Sequence, residues 1–300
     1  MQKILILGRQ GQVAWELQRT LASLGNITVF GSQDLDLASP DMIRTQVRSI
    51  QPDIIVNAAA YTAVDKAETE SDLCMSINAV APGILAELAR ESQALLVHYS
   101  TDYVFDGTKI GAYLETDPTN PLSVYGASKL AGEQAIIQVD CAHLIFRTTW
   151  VYGNRGKNFL QTILRLAASA KELKIVADQI GSPTWSRSIS EATAQIIAQC
   201  RHDRWRSRSN GASGVRGLYN LSAAGETSWH GFANQIVDRS RSIDPELQLA
   251  IEQILPIPAT DYPTAAQRPA NSVLDNSKIL ADFGVQLPDW QVSLEQCLEN

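Results

Sequence analysis

The chain has few cysteines for its 300 residues, and the four it has, Cys74, Cys141, Cys200 and Cys297, are widely scattered without a CxxC pair. That spacing suggests neither a zinc cluster nor a disulfide framework, and it fits reduced thiols in the cytoplasm. The four histidines likewise make no metal-ligand pattern. A positive balance is also missing: 32 acidic against 25 basic side chains leave a net charge of −7. Phosphate-rich partners select the opposite sign, so neither a nucleic acid nor an anionic membrane is expected as a partner. The first apolar run, Ile4 to Leu7, stops at Gly8 and is too short for a signal peptide or a membrane span. No internal repeat is present. What remains is a chain long enough for one large α/β domain or two modest ones.

Ile4 to Leu7 reads as a buried parallel strand, and Gly8-Arg-Gln-Gly11-Gln-Val-Ala14 as the turn that opens a helix over residues 15–24. Ile27 to Phe30 is the next strand, which completes a βαβ unit. Gly8 and Gly11 let the backbone approach a pyrophosphate, Gln12 and Val13 follow them into the helix, and its free N–H groups face the anion. A glycine turn alone marks any tight strand-to-helix connection; between a strand and a helix it points to a dinucleotide. The second strand ends in Phe30-Gly-Ser-Gln33, without the acidic residue that grips a ribose 2′-hydroxyl. NADPH is therefore preferred, with NADH admitted, and Arg9 and Ser32 are placed to meet a 2′-phosphate. Asp36 and Leu37 would flank the adenine. Ala58, Ala59 and Ala60, after the strand Ile54 to Val56, are small enough for a flat cofactor to lie against the backbone.

The pattern of strand and helix continues with a long amphipathic helix over residues 77–90, a strand from Leu95 to Tyr99 that delivers Thr101 and Asp102, a helix carrying Tyr125 and Lys129, and a strand from Leu144 to Thr149. The fold class expected is α/β, a doubly wound parallel sheet of the Rossmann type with a smaller substrate-binding lobe. Residues 1–153 form the dinucleotide-binding part, with a returning strand near 218–221, and 154–300 mainly the lobe. In the lobe we expect helices over residues 160–170, 188–199 and 228–240 and a short strand around Ile175. Residues 201–217, rich in Arg, Ser and Gly, read as a surface insert.

Tyr125 and Lys129 are four apart and share one helix face, about 6 Å apart along the axis. By spacing alone this is usually one packed ring and one solvated amine. A phenol has a pKa of ~10, and a neighbouring ammonium would lower it toward working pH. Tyr125 is then a general acid for a carbonyl that accepts hydride, and Thr101, at the strand end, a second group to hold the oxygen.

Gly8-x-x-Gly11-x-x-Ala14, Ser100-Thr-Asp102 and Tyr125-x-x-x-Lys129 together resemble the extended short-chain dehydrogenase/reductases. More narrowly, Gly11-Gln-Val-Ala-Trp-Glu-Leu17, Ala59-Ala-Tyr-Thr-Ala-Val-Asp-Lys-Ala-Glu68, Ser100-Thr-Asp-Tyr-Val-Phe-Asp-Gly107, Arg147-Thr-Thr-Trp-Val-Tyr152 and Arg268-Pro-Ala-Asn-Ser-Val-Leu-Asp275 resemble the dTDP-4-dehydrorhamnose reductases, in order over nearly the whole chain. Ala14 departs from the glycine frequent there, at a packing position. The resemblance implies a Rossmann fold, reduction of the 4-keto group of a dTDP-sugar substrate, a Thr101, Tyr125 and Lys129 triad, and a Lys129 that also holds the nicotinamide ribose. It carries Val64, Tyr103, Phe105, Trp150, Asn158 and Thr184 over to substrate binding. Trp150 reads equally as core and Thr101 equally as a strand-end cap. Dehydratases of the same scaffold place Asp-Glu after the Thr, whereas here Asp102 is followed by Tyr103. Some relatives bridge a homodimer through magnesium held by glutamates. Glu16 and Glu191 are the conceivable contributors here, but exposed helix residues are the favoured reading, so no metal site is assigned. The competing readings are a non-catalytic, NADP-binding regulatory subunit of this fold and another nucleotide-sugar oxidoreductase or epimerase.

Overall fold

A computed structural model describes residues 1–200 and 215–299. Six parallel strands form the central sheet: β1 (Gln2–Leu7), β2 (Gly25–Phe30), β3 (Ile54–Asn57), β4 (Leu95–Thr101), β5 (His143–Thr148) and a strand returning late in the chain, Arg216–Asn220. Their order across the sheet is β2, β1, β3, β4, β5 and then the returning strand. Strand order reverses between β1 and β3, and at such a switch point the carboxyl ends of the strands leave a crevice. β3 and β4 are buried at every residue, which is why they open on the apolar runs Ile54 to Val56 and Leu95 to Val97.

Helices cover both faces. On one side α1 (Gln12–Thr20) packs beside α8 (Ser186–Gln199), and Leu17, Leu21, Ile189 and Ile196 join Ile4, Ile6 and Val97 in one core. On the other, α2 (Pro40–Ile50), capped by the Ser39 hydroxyl accepting from Met42 N, lies beside α5 (Ala81–Ser92), and Ile43, Val47 and Leu85 meet Leu5, Leu7 and Ile55. α6 (Val124–Val139) packs beside α5.

The helix expected over residues 77–90 starts earlier. α3 (Val64–Ala67) is followed by α4 (Ser71–Met75), a wider π turn (Ser76–Val80) and then α5. Pro82 explains part of this, because it withholds the N–H of a regular turn. Asn78, within the π turn, accepts from Tyr61 N at 2.9 Å and donates to Ser128 Oγ at 3.0 Å, so the widened turn ties the loop after β3 to α6. Ser71–Ser92 is long and apolar enough to cross a membrane by length and composition, yet its apolar residues are largely those packed inside the protein. α1 also begins three residues before the expected start and ends at Thr20.

Beyond β6 (Val151–Tyr152), apart from the returning strand, the described residues make small ladders, with α7 (Phe159–Ala167), a strand at Glu172–Val176 paired with Gln253–Ile257, and a helix at Trp229–Ile243. Tyr152, Leu160, Phe232, Trp290 and Leu294 form a separate core there. Of the expected surface insert, residues 201–214 lie outside the described residues.

Candidate active site

The glycine turn works as its residues require. Gly8 has φ +106°, and a Cβ on it would stand 2.9 Å from the Ala58 carbonyl oxygen, so only glycine lets the ends of β1 and β3 come this close. Gly11 N closes the turn on Gly8 O at 2.7 Å. Gly11 is also the residue before α1, and no side chain caps that helix, which leaves its first N–H groups facing the crevice. The crevice has a volume of about 520 Å³. Gly8, Gly11, Gln12 and Val13 line it from the turn, Asp36 and Leu37 from beyond β2, and Ala58, Ala59 and Ala60 from beyond β3. Tyr125 and Lys129 close it from α6. An uncapped helix start, a glycine that admits no Cβ and small residues opposite fit a dinucleotide.

Arg9 is the cofactor residue whose surroundings differ from expectation. Its Nη2 donates to Val29 O at 2.6 Å and its Nη1 pairs with Asp34 Oδ2 at 3.0 Å, while Asp34 also accepts from Gly31 N at 2.8 Å. An acidic residue thus stands just past the end of β2 after all, four residues beyond Phe30, and it engages the arginine. Sequence reasoning missed several wall residues: Thr62, Ile77, Thr148 and Lys157. Ile77 arrives through the π turn and Lys157 from a loop some 150 residues beyond the glycine turn, and neither position carries a local signal.

Thr101 ends β4 and Ser123 starts α6, its hydroxyl accepting from Gly126 N at 3.1 Å. A Cβ on Gly126 would stand 2.2 Å from Tyr103 O, so this glycine is what lets α6 press against the turn after Thr101. The three expected residues therefore meet at one strand end. Thr101 Oγ1 donates to Asp102 Oδ1 at 3.0 Å and accepts from Tyr103 N at 3.2 Å, so the strand-end cap is real as well. Burial raises the Tyr125 pKa above its ordinary range, hydrogen bonding with the Thr101 side chain opposes this, and the charge of Asp102 adds to the rise. The expected lowering by Lys129 is not seen. The reason is geometric: Lys129 Nζ donates to Tyr99 O at 2.6 Å and lies 3.3 Å from His98 Nε2. Burial pushes Lys129 itself down to about 8, against the raising influence of Glu133 and Cys74. Asp102 is pushed up to about 6 by burial, with the hydroxyls of Ser272, Thr101 and Thr149 pulling the other way. A phenol held protonated to high pH, a hydroxyl beside it and a lysine behind it make a proton-donating site.

Among the residues the resemblance assigns to substrate, Tyr103 stands edge-on to Tyr125, ring centres 5.7 Å apart. Val64 starts α3 and is half-buried, in the loop-to-helix segment where Asp65 pairs with Arg268 at 2.9 Å. Trp150 is half-buried with φ +46° and stacks on Trp229, centroids 3.5 Å apart. Three residues carried over by resemblance are held by contacts within the fold. Phe105 is fully buried and stacks on Tyr113 beneath Arg147. Thr184 is fully buried, donating to Ser182 O at 2.8 Å and accepting from Ala223 N at 3.1 Å. Asn158 caps α7 by accepting from Gln161 N at 3.0 Å, and its amide donates to Gln12 Oε1 at 2.9 Å and Gly153 O at 2.8 Å. Among the described residues no three His, Cys, Asp or Glu side chains cluster to hold a metal, and Glu191 is paired with Arg187 at 2.9 Å.

The family model described as the RmlD substrate binding domain matches residues 1–300. The chain belongs to that family. It is 49% identical over 300 residues to a dTDP-4-dehydrorhamnose reductase of Burkholderia thailandensis, covering 99% of this chain and 98% of the relative. The corresponding reductase of Escherichia coli K12 is 44% identical over 301 residues, covering 99% and 97%. Among solved structures, a dTDP-4-dehydrorhamnose reductase of Bacillus anthracis in complex with NADP superposes with a TM-score of 0.87 at 33% identity, covering 99% of this chain and 98% of that one. The fold is the Rossmann type of these NAD(P)-binding reductases, and the family places the chain among the oxidoreductases.

Proposed function

We propose that the protein reduces the 4-keto group of dTDP-4-dehydro-L-rhamnose to the alcohol of dTDP-L-rhamnose, with NADPH as hydride donor and Tyr125 as general acid. The observation that carries this reading is the meeting of the Gly8 turn with Tyr125 and Lys129 of α6 in one crevice at the switch point of the sheet, with Thr101 at the end of β4 beside the phenol. The Gly8 turn and the start of α1 hold the pyrophosphate, and Ala58 to Ala60 seat the flat rings. Thr101 holds the ketone oxygen. As negative charge develops there, Tyr125 Oη gives it the proton and becomes the phenolate. Lys129 stands behind the phenol and meets the ribose of the nucleotide. Val64, Tyr103 and Trp150 form the sugar side.

Residues 1–153 with the returning strand at Arg216–Asn220 serve as the nucleotide-binding part, and the separate core around Tyr152 and Phe232 supports a substrate lobe after residue 153. Arg9 reaches a 2′-phosphate only by leaving Asp34, so the preference for NADPH over NADH is modest. The protein works in the cytoplasm, as a monomer or homodimer.

The test is to mix the protein with NADPH and dTDP-4-dehydrorhamnose and follow loss of the nicotinamide absorbance. Oxidation dependent on the sugar is expected. Tight NADPH binding without oxidation would favour a non-catalytic subunit instead, and oxidation only with other 4-keto sugar nucleotides would move the substrate.

A further inference from the structure

One buried side chain next to this chemistry has no part in it so far. His98 lies on β4 at 1% exposure, between Asn57 at the end of β3 and Lys129 on α6. The register of the parallel sheet puts Asn57 directly beside it. Both ring nitrogens are engaged: Asn57 Nδ2 is 3.1 Å from Nδ1, and Lys129 Nζ is 3.3 Å from Nε2.

The amide decides where the ring proton sits. Asn57 Oδ1 accepts from Ala59 N at 3.3 Å, so the NH₂ end faces the ring and donates to Nδ1. Nδ1 is then the acceptor, and a neutral imidazole carries its single proton on Nε2. That N–H points at Lys129 Nζ. An ammonium has three donors and no acceptor, so it cannot take this bond; an amine can, through its lone pair, while an N–H of its own still donates to Tyr99 O at 2.6 Å.

We infer that His98, oriented by Asn57, is a positioning residue that opposes the ammonium form of Lys129 and so makes the charge of this lysine conditional instead of permanent. The inference rests on the reading above that Lys129 serves Tyr125 and the nucleotide. The surroundings agree with it. Burial, with the charge of Lys129 second, holds the His98 pKa well below the ordinary imidazole value, so the ring stays neutral. The groups that face Lys129 and favour its charge are Glu133, one turn further along α6, and Cys74 from α4. Glu133 is itself tied to the buried Arg147 of β5 by two hydrogen bonds, at 2.9 and 2.7 Å, which takes up both its oxygens. A lysine so placed changes charge in the mildly alkaline range, where what it offers the ribose of the nucleotide changes with it.

The first test needs no turnover. The whole protein is labelled with ¹³C-lysine, its Cε signals are followed against pH, and the Lys129 signal is assigned by its loss in Lys129→Met. The expected midpoint is near 8, as burial sets it; a midpoint at the ordinary lysine value of about 10.4 overturns the inference. In His98→Gln the side-chain carbonyl offers Nζ an acceptor in place of a donor, and the midpoint is expected to rise by about one unit or more. Asn57→Leu frees the ring proton to move to Nδ1, leaving Nε2 to accept, so a rise in the same direction is expected. Unchanged midpoints in both variants overturn the assignment, even if the wild-type value is low. The second test is the pH profile of NADPH oxidation, whose alkaline limb is expected to move with the NMR midpoint in His98→Gln. A limb that stays in place while the midpoint moves separates the two ideas: the link from Lys129 to turnover fails, and the hold of His98 on Lys129 stands.

Discussion

The crevice and the lobe beyond residue 153 are built on opposite plans. In the crevice, much of the wall is residues at or directly after strand ends: Gly8 after β1, Ala58 to Ala60 after β3, Ser100 near the end of β4. Parallel strands put all their carboxyl ends on one edge, so local motifs add up to a site with no long-range design. In the lobe the strands are short, and the structure depends on single side chains that tie distant segments. Asn158 reaches Gln12, Thr184 serves Ala223, and Ser182 Oγ donates to Gly225 O at 2.6 Å. Polar residues line the crevice in the first region as well as brace it, and those named in the second hold the chain together. The same residue type, a buried Thr, stands beside Tyr125 at Thr101 and links Ser182 to Ala223 at Thr184.

The largest effect that would sharpen this contrast is at Tyr125. Tyr125→Phe keeps the ring and removes the proton, so kcat is expected to fall by about 10²- to 10⁴-fold while the NADPH dissociation constant changes by less than about threefold. Steady-state rates and a binding titration check this, and undiminished turnover would remove Tyr125 from its role. Next is Asp102, whose folded carboxyl holds its proton up to about 6, compared with 3.8 unfolded. Its contribution to stability is therefore fully present below the unfolded value and lost as pH rises through 6, a loss of about 3 kcal/mol at 1.36 kcal/mol per unit. Asp102→Asn should then gain on the wild type between pH 4 and 7.5, by up to that amount, in urea denaturation at several pH values. A constant difference across that range would show that the carboxyl is no less comfortable ionised than in water.

A smaller effect tests the lobe. Asn158→Ala removes the cap of α7 and the bond to Gln12 and is expected to cost about 1–2 kcal/mol of stability, with the KM for the sugar nucleotide within about threefold of wild type. A large rise in KM at unchanged stability would instead return Asn158 to the substrate. The smallest effect is at Arg9. Freeing it by Asp34→Asn should improve NADPH over NADH by a few-fold, and Arg9→Ala should reverse the ratio, both read from kcat/KM with each nucleotide. Equal ratios in all three proteins would take Arg9 out of cofactor selection.

Much of the candidate site was legible in the sequence. Gly8, Gly11, Thr101, Tyr125 and Lys129 stand at strand ends or at helical spacing, and those periodicities carry over directly into space. The expected order of strands and helices is likewise found through β5 and again in the returning strand. The π turn was not legible, because it needs Asn78 to choose Tyr61 and Ser128 over its own helix. Nor were the contacts of Phe105, Asn158 and Thr184 within the fold, since a motif shows that a residue type recurs but not which way its side chain turns.

Composition and period alone thus determined an α/β chain with a glycine turn, a strand-end threonine and a tyrosine and lysine on one helix face. These depend on backbone geometry that repeats every two or 3.6 residues. Tertiary structure decided the electrostatics. The fate of Lys129 turns on a carbonyl and a histidine about 30 residues away on β4, and the rise in the Tyr125 pKa on burial that no neighbouring residue in the sequence reports. Desolvation and hydrogen-bond direction belong to the packed interior, and only the folded chain has one.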